Sequence, residues 1–111
     1  MTQPDPAPRS YPLTISVRRS GAEVHVVAEG ELDLLTVYGL EGHVLSEAGP
    51  GDVVRLDLSA TPFMDSTGLR VLLRLRQLAE RSGWRLRVAG VQPQVRRMLA
   101  LAGADKLLGL E

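Results

Sequence analysis

Ser66 and Thr67 are adjacent hydroxyl residues with a carboxylate, Asp65, before them and Gly68 after them. They follow an unbroken strand pattern, Val53-Val54-Arg55-Leu56-Asp57-Leu58, and precede a helical pattern that runs to about Ser82. The stretch Phe63-Met64-Asp65-Ser66-Thr67-Gly68-Leu69 therefore reads as a strand-to-helix turn. The first N–H groups of such a helix have no partner inside it, and the helix dipole adds partial positive charge, so a phosphate is stabilised there. Gly68 removes a side chain that could crowd an approaching group. Asp, Ser and Thr are equally the usual N-cap residues, and the turn alone does not separate a phosphate site from an ordinary cap.

Other chemistries fit the sequence less well. A nucleophilic Ser66 needs a base within hydrogen-bond reach, but His25 falls in a strand pattern and His43 late in a helical one. Neither a Gly-x-Ser-x-Gly elbow nor the Gly-Lys-Ser/Thr of a P-loop is present, so no enzymatic activity is expected. The chain has no cysteine, which excludes disulfides, thiolate metal sites and a cysteine nucleophile. With two histidines and no carboxylates at ligand spacing, neither a metal nor a cofactor is expected. Net charge is zero and the arginines are not interleaved with aromatics, which argues against nucleic acid as partner. No apolar run approaches the roughly 20 residues that cross a bilayer, and the first dozen residues lack an apolar signal core. A cytoplasmic protein without membrane insertion is the expectation.

The elements that must position the turn come next. A chain of 111 residues, 44% of them hydrophobic, fits one compact domain. Residues 1–12, with Pro4, Pro6, Pro8 and Pro12, read as a flexible leader, and 13–111 as the folded domain. Leu13 to Arg18 alternates with period two, Ser20-Gly21 turns, and Val24 to Ala28 returns as the second strand of a hairpin. His25 lies on its polar side. Leu34, Val37, Leu40, Val44 and Leu45 repeat at helical spacing behind Asp33 as N-cap, and Gly49-Pro50-Gly51 stops that helix.

Val53 to Leu58 reads as a central strand covered on both faces, in parallel with the preceding strand through a right-handed crossover. Leu69, Leu72, Leu75, Leu78 and Ala79 form the apolar arc of the next helix, which Ser82-Gly83 ends. Trp84 to Ala89 is a further strand, and Pro93 opens a helix with Val95, Met98, Leu99 and Ala102 inward. Leu107 to Leu110 reads either as a short edge strand or as a docked tail. The expected fold is α/β, a mixed four- to five-stranded sheet with three to four helices in the order β-β-α-β-α-β-α(-β). Asp33 and Asp65 both fall at carboxyl ends of strands, where such folds bind ligands or partners. Charge is sorted along the chain: residues 1–69 hold 4 basic and 10 acidic groups (−6), and residues 70–111 hold 9 and 3 (+6). The basic half is either a set of solvated helix faces or a surface for a protein partner.

Taken in order, Gly30-Glu31-Leu32-Asp33, Asp57-Leu58-Ser59, the 63–69 turn and Gln92 to Leu99 resemble the STAS domain of bacterial anti-sigma factor antagonists, over about residues 13 to 110. That resemblance implies an antagonist that binds an anti-sigma factor, itself a serine kinase of the histidine-kinase-like ATPase fold, and so frees a sigma factor. It implies Ser66 as the phosphoacceptor, with Thr67 the second choice, and a phosphatase that resets the switch. It also places Asp33, Asp65, Ser66, Thr67, Gly68 and Arg70 at the partner interface. Arg70, where the family often has Gly or Ala, and Gly39 and Gly42 in the first helix depart from the pattern. The alternative within the same fold is a non-switching STAS subunit of a lipid-transport ATPase complex or of a stress-signalling assembly.

Overall fold

The computed structural model describes residues 13–111, and the expected leader, 1–12, lies outside them. Strands Thr14–Ser20 (β1) and Glu23–Glu29 (β2) form an antiparallel hairpin in which Ile15, Val17 and Arg19 stand opposite Ala28, Val26 and Val24. Helix Val37–Glu47 (α1) leads to Val53–Ala60 (β3), which pairs in parallel with β2. Helix Ser66–Ser82 (α2) leads to Arg85–Ala89 (β4), parallel to β3, and Pro93–Leu101 (α3) follows with Pro93 in its first turn. The sheet order is β1-β2-β3-β4, so β3 is internal and β1 and β4 are the edges. Four strands and three helices match the expected order.

Alternation decides which face is covered. Val24, Val26 and Ala28 of β2 and Val54, Leu56 and Leu58 of β3 are fully buried in one cluster with Leu40 and Val44 of α1, Leu72 and Leu75 of α2, and Leu99 of α3. The intervening residues, His25, Arg55 and Asp57, are only partly covered. The sheet thus has one helix-covered face and one open, charged face. The expectation that β3 is covered on both faces is corrected, because Arg55 and Asp57 break its apolar run every second residue. His25 sits on the open face, with Nε2 3.3 Å from Arg55 Nη1.

Two further expectations are revised. Leu34 and Leu45 share the helical spacing of Val37, Leu40 and Val44 yet are exposed. Ala102 is also exposed, and α3 buries Val95 and Leu99 instead. Residues 105–109 form turns with Leu108 buried, and the Glu111 N–H donates to the Val88 carbonyl at 2.9 Å, so this segment is a docked tail rather than a strand.

Candidate functional site

Two turns meet where β2 and β3 end. Leu32 and Met64 form a one-residue parallel bridge beyond the strands. The Leu32 N–H donates to Phe63 O at 3.0 Å, and the Asp65 N–H donates to Leu32 O at 3.1 Å. Asp33 and Asp65, each one residue beyond the bridge, are therefore carried to the same end of the sheet on neighbouring strands.

Asp65 is the N-cap of α2. Its Oδ1 accepts the Thr67 N–H at 2.8 Å and the Gly68 N–H at 3.0 Å, while its carbonyl accepts Leu69 N–H at 3.1 Å. Ser66 is the first helical residue and is exposed, whereas Thr67 is half-buried. Two of the amides that could greet an anion are already satisfied by the Asp65 carboxylate. The turn is thus a capped helix start with a presented hydroxyl, not an open phosphate cradle.

Gly68 faces inward. A Cβ there would lie 2.6 Å from Met64 Cγ, 3.0 Å from Leu32 O and 3.3 Å from Leu32 Cβ, so the glycine lets α2 pack against the Leu32–Met64 bridge. The crowding it avoids is internal to the domain. Arg70 is exposed, one helical turn beyond Ser66 on the same side of α2.

The expectation that Asp33 is the N-cap of α1 is corrected: the N-cap residue is Thr36, and Asp33 organises the turn ahead of it. Its Oδ1 accepts Leu35 N–H at 2.9 Å and Thr36 N–H at 3.2 Å, and its backbone carbonyl accepts Val37 N–H at 2.9 Å. The Thr36 hydroxyl donates to Glu31 O at 2.6 Å, which locks the turn. Asp33 Oδ1 is thus engaged in the preceding turn, and α1 starts only at Val37, where its N-cap residue, Thr36, makes no side-chain cap. Residues 34 and 35 are held outside the helix, and Leu34 and Leu35 are 62% and 75% exposed. Phe63, in the neighbouring turn, is 49% exposed. An apolar rim of Leu34, Leu35 and Phe63 therefore accompanies the acidic pair and Ser66, and helical spacing had placed Leu34 in the core.

The Phe63 turn is braced from behind. Gln94 Nε2 donates to Pro62 O at 2.8 Å, Gln92 Nε2 donates to Ser59 O at 2.9 Å, and the buried Thr61 hydroxyl donates to Ala28 O at 2.9 Å. Asp57 Oδ1 accepts Ser59 N–H at 2.8 Å, and hydrogen bonds from the Ser59 side chain and backbone hold its carboxyl below the usual range. Gly90, at φ +70°, leaves room for that carboxylate, since a Cβ there would stand 2.8 Å from Asp57 Oδ1. The structure brings Asp33, Asp65, Ser66 and Thr67 together, with Arg70 one turn away and Gly68 beneath.

His43 Nδ1 lies 2.9 Å from Gly39 O, and His25 is occupied on the open sheet face. No grouping of three or more His, Asp or Glu suited to a metal occurs among the described residues, and no helix there is long and apolar enough to cross a membrane.

Comparison with known proteins gives a consistent family. The model of the family described as "Mlab, STAS domain" matches residues 15–109. The anti-sigma-B factor antagonist of Bacillus subtilis is 21% identical over 98 residues, covering 88% of this chain and 90% of that protein. The crystal structure of an anti-sigma factor antagonist from Mycobacterium paratuberculosis is similar at 31% identity and a TM-score of 0.71, covering 88% of this chain and 84% of that one. The Bacillus cell fate determinant SpoIIAA in its phosphorylated form shares the fold at 18% identity and a TM-score of 0.62, covering 88% of this chain and 89% of that one.

Proposed function

This chain belongs to the STAS-domain family, and from that premise we propose that it is an anti-sigma factor antagonist whose binding is switched off by phosphorylation of Ser66. The observation that carries the proposal is the exposed Ser66 hydroxyl on the first residue of α2, beside the Asp33 and Asp65 turns and the Leu34–Leu35–Phe63 rim. The partner is an anti-sigma factor with serine kinase activity. It covers the apolar rim and meets Asp33, Asp65, Ser66, Thr67 and Arg70, and Gly68 sets the spacing from below. In the cytoplasm, a sigma factor is released by that binding. The chain itself is not an enzyme in this reading, and a phosphatase restores the free hydroxyl.

The switching step in this reading is a phosphoryl transfer to Ser66. Ser66 Oγ attacks the terminal phosphorus of ATP held by the kinase. An O–P bond forms at Ser66, the bond to the ADP oxygen breaks, and the hydroxyl proton leaves to a base of the kinase. The product adds about −1.5 to −2 charges at neutral pH. Within the domain, the helix N-terminus favours an anion by roughly 0.3–1 kcal/mol, so the fold tolerates the group. At the interface, the phosphate stands beside two carboxylates while Asp65 occupies the Thr67 and Gly68 amides. Burying an unpaired charge costs several kcal/mol, so the interface term dominates.

Capture from the native host with tagged wild type, Ser66→Ala and Ser66→Asp tests this. Wild type and Ser66→Ala are expected to recover an ATPase-fold serine kinase, and Ser66→Asp to bind it at least about tenfold more weakly, a loss of about 1.4 kcal/mol. Equal capture by wild type and Ser66→Asp, with permease or transport-ATPase subunits as the prey, would leave the fold assignment standing and remove the antagonist reading in favour of the non-switching alternative.

A further inference from the structure

The basic half of the chain has a place in the fold that Ser66 does not use. Strand β4 is an edge of the sheet. The Arg85 N–H donates inward to Asp52 O at 2.9 Å, and alternation along a parallel ladder then turns residues 85, 87 and 89 toward β3 and residues 86 and 88 outward. The Val88 carbonyl accordingly accepts Glu111 N–H at 2.9 Å from outside. No hydrogen bond takes the Leu86 N–H, the Leu86 carbonyl or the Val88 N–H among the described residues.

A cleft of about 360 Å³ runs along this strip, between β4, the flank of α2 and the turns at 106–109. Buried Trp84 and Ala79 and half-exposed Leu107 give it an apolar side. Arg76, Arg85, Arg87 and Lys106 also line it, against one carboxylate, Glu80, which already pairs with Arg76 at 3.0 Å. The chain itself shows what suits the strip. Where Glu111 bonds the β4 edge, its carboxylate reaches Arg55 Nε at 2.8 Å and Arg87 Nη1 at 3.6 Å, and Arg55 holds it below the usual carboxyl range.

We propose that the outer edge of β4 is a docking strip for an extended acidic segment of a partner protein, added as a further strand with carboxylates toward Arg85 and Lys106 and alternate apolar residues toward Leu107. Backbone pairing supplies affinity in such additions and alternating pockets supply choice. A second copy of this chain does not fit. Its opposite edge, β1, carries Arg18 and Arg19 and no carboxylate, so two basic edges would meet. Residues 1–12 hold one Asp and one Arg and offer no net negative charge. The strip is distinct from the Ser66 site, and the proposal stands whether or not Ser66 is phosphorylated.

The test uses the full chain labelled with ¹⁵N and the peptide acetyl-Glu-Val-Glu-Val-Glu-amide. Binding is expected to shift the Leu86 and Val88 amide signals and the emission of Trp84, which is the only tryptophan. The Arg85→Glu/Lys106→Glu pair is expected to weaken binding roughly tenfold, because each reversal turns an attraction into a repulsion. Loss is also expected for acetyl-Lys-Val-Lys-Val-Lys-amide, and for the acidic peptide with every backbone nitrogen methylated. The proposal is overturned if millimolar acidic peptide leaves Leu86 and Val88 unmoved, if the shifts gather at the Asp33 and Asp65 turns, or if either control peptide binds equally well. The mapping on wild type needs no variant, so a misfolded double variant cannot protect the idea.

Discussion

The two turns that form the Ser66 end of the molecule are built to different standards. Helix α2 opens on a side-chain cap, Asp65, that satisfies two amides, and closes on Gly83 in the left-handed conformation at φ +79°. It buries Gly68, Val71, Leu72, Leu75 and Ala79 along its length. Helix α1 opens without a side-chain cap, carries Gly39 and Gly42, and buries Val37, Leu40 and Val44. One turn holds Ser66 in a fixed place, and the other displays Leu34 and Leu35 at the start of a helix with weaker local support. A switch needs the modified hydroxyl positioned for a kinase, and a docking rim needs apolar side chains that tolerate exposure. In the proposed reading these demands fall on separate elements, which the Leu32–Met64 bridge joins.

The strongest way to break that arrangement is at its joint. Gly68→Ala would place a methyl 2.6 Å from Met64 Cγ and 3.0 Å from Leu32 O. Met64 can swing aside, but the Leu32 carbonyl belongs to the bridge, so overpacking of about 1–3 kcal/mol is expected. A thermal melt should show a fall of several degrees, at roughly 4–8 °C per kcal/mol for a domain near this size. A melt unchanged by Gly68→Ala would mean that α2 is not seated on the bridge.

A smaller effect is expected at the cap. Asp65→Ala leaves the Thr67 and Gly68 amides without their acceptor and should cost about 1 kcal/mol, while Asp65→Asn, an equivalent cap, restores most of it. The pair also separates fold from charge. If Asp65 matters to the partner only as a cap, Asp65→Asn binds like wild type, and if its charge is read directly, Asp65→Asn folds well and binds poorly.

The same contrast explains what was legible in the sequence. Helix α2 could be read from start to stop because its signals are local: Asp65 before it, Gly83 after it and an apolar arc between. The turn bearing Ser66 was legible for the same reason. The start of α1 was not, because Asp33 looks like an N-cap but bonds the Leu35 and Thr36 amides of a preceding turn, which displaces the helix to Val37. Leu34 then leaves the spacing that had marked it as core. The bracing role of Gln92 and Gln94 has no local signature, because they reach carbonyls 33 and 32 residues away. The open face of the sheet is hard to read from the sequence because two valines at the start of β3 mask the alternation of Arg55 and Asp57 after them.

The smallest effect runs in the opposite direction and probes the weaker helix. Neither Gly39 nor Gly42 would bring a Cβ within 4 Å of a neighbour, and neither has a positive φ, so the fold gives no packing or backbone reason for glycine at either place. Replacing either by Ala in a helix interior should stabilise the domain by about 0.5–1 kcal/mol, read as a rise in melting temperature. Both positions are exposed, and Gly39 directly follows the half-exposed Tyr38 and precedes the buried Leu40. If the alanine variants melt higher and capture the partner as wild type does, α1 is simply an imperfect helix. If they melt higher and bind worse, the missing side chains are part of the docking surface, and the weaker of the two helices is weak where the partner needs close approach.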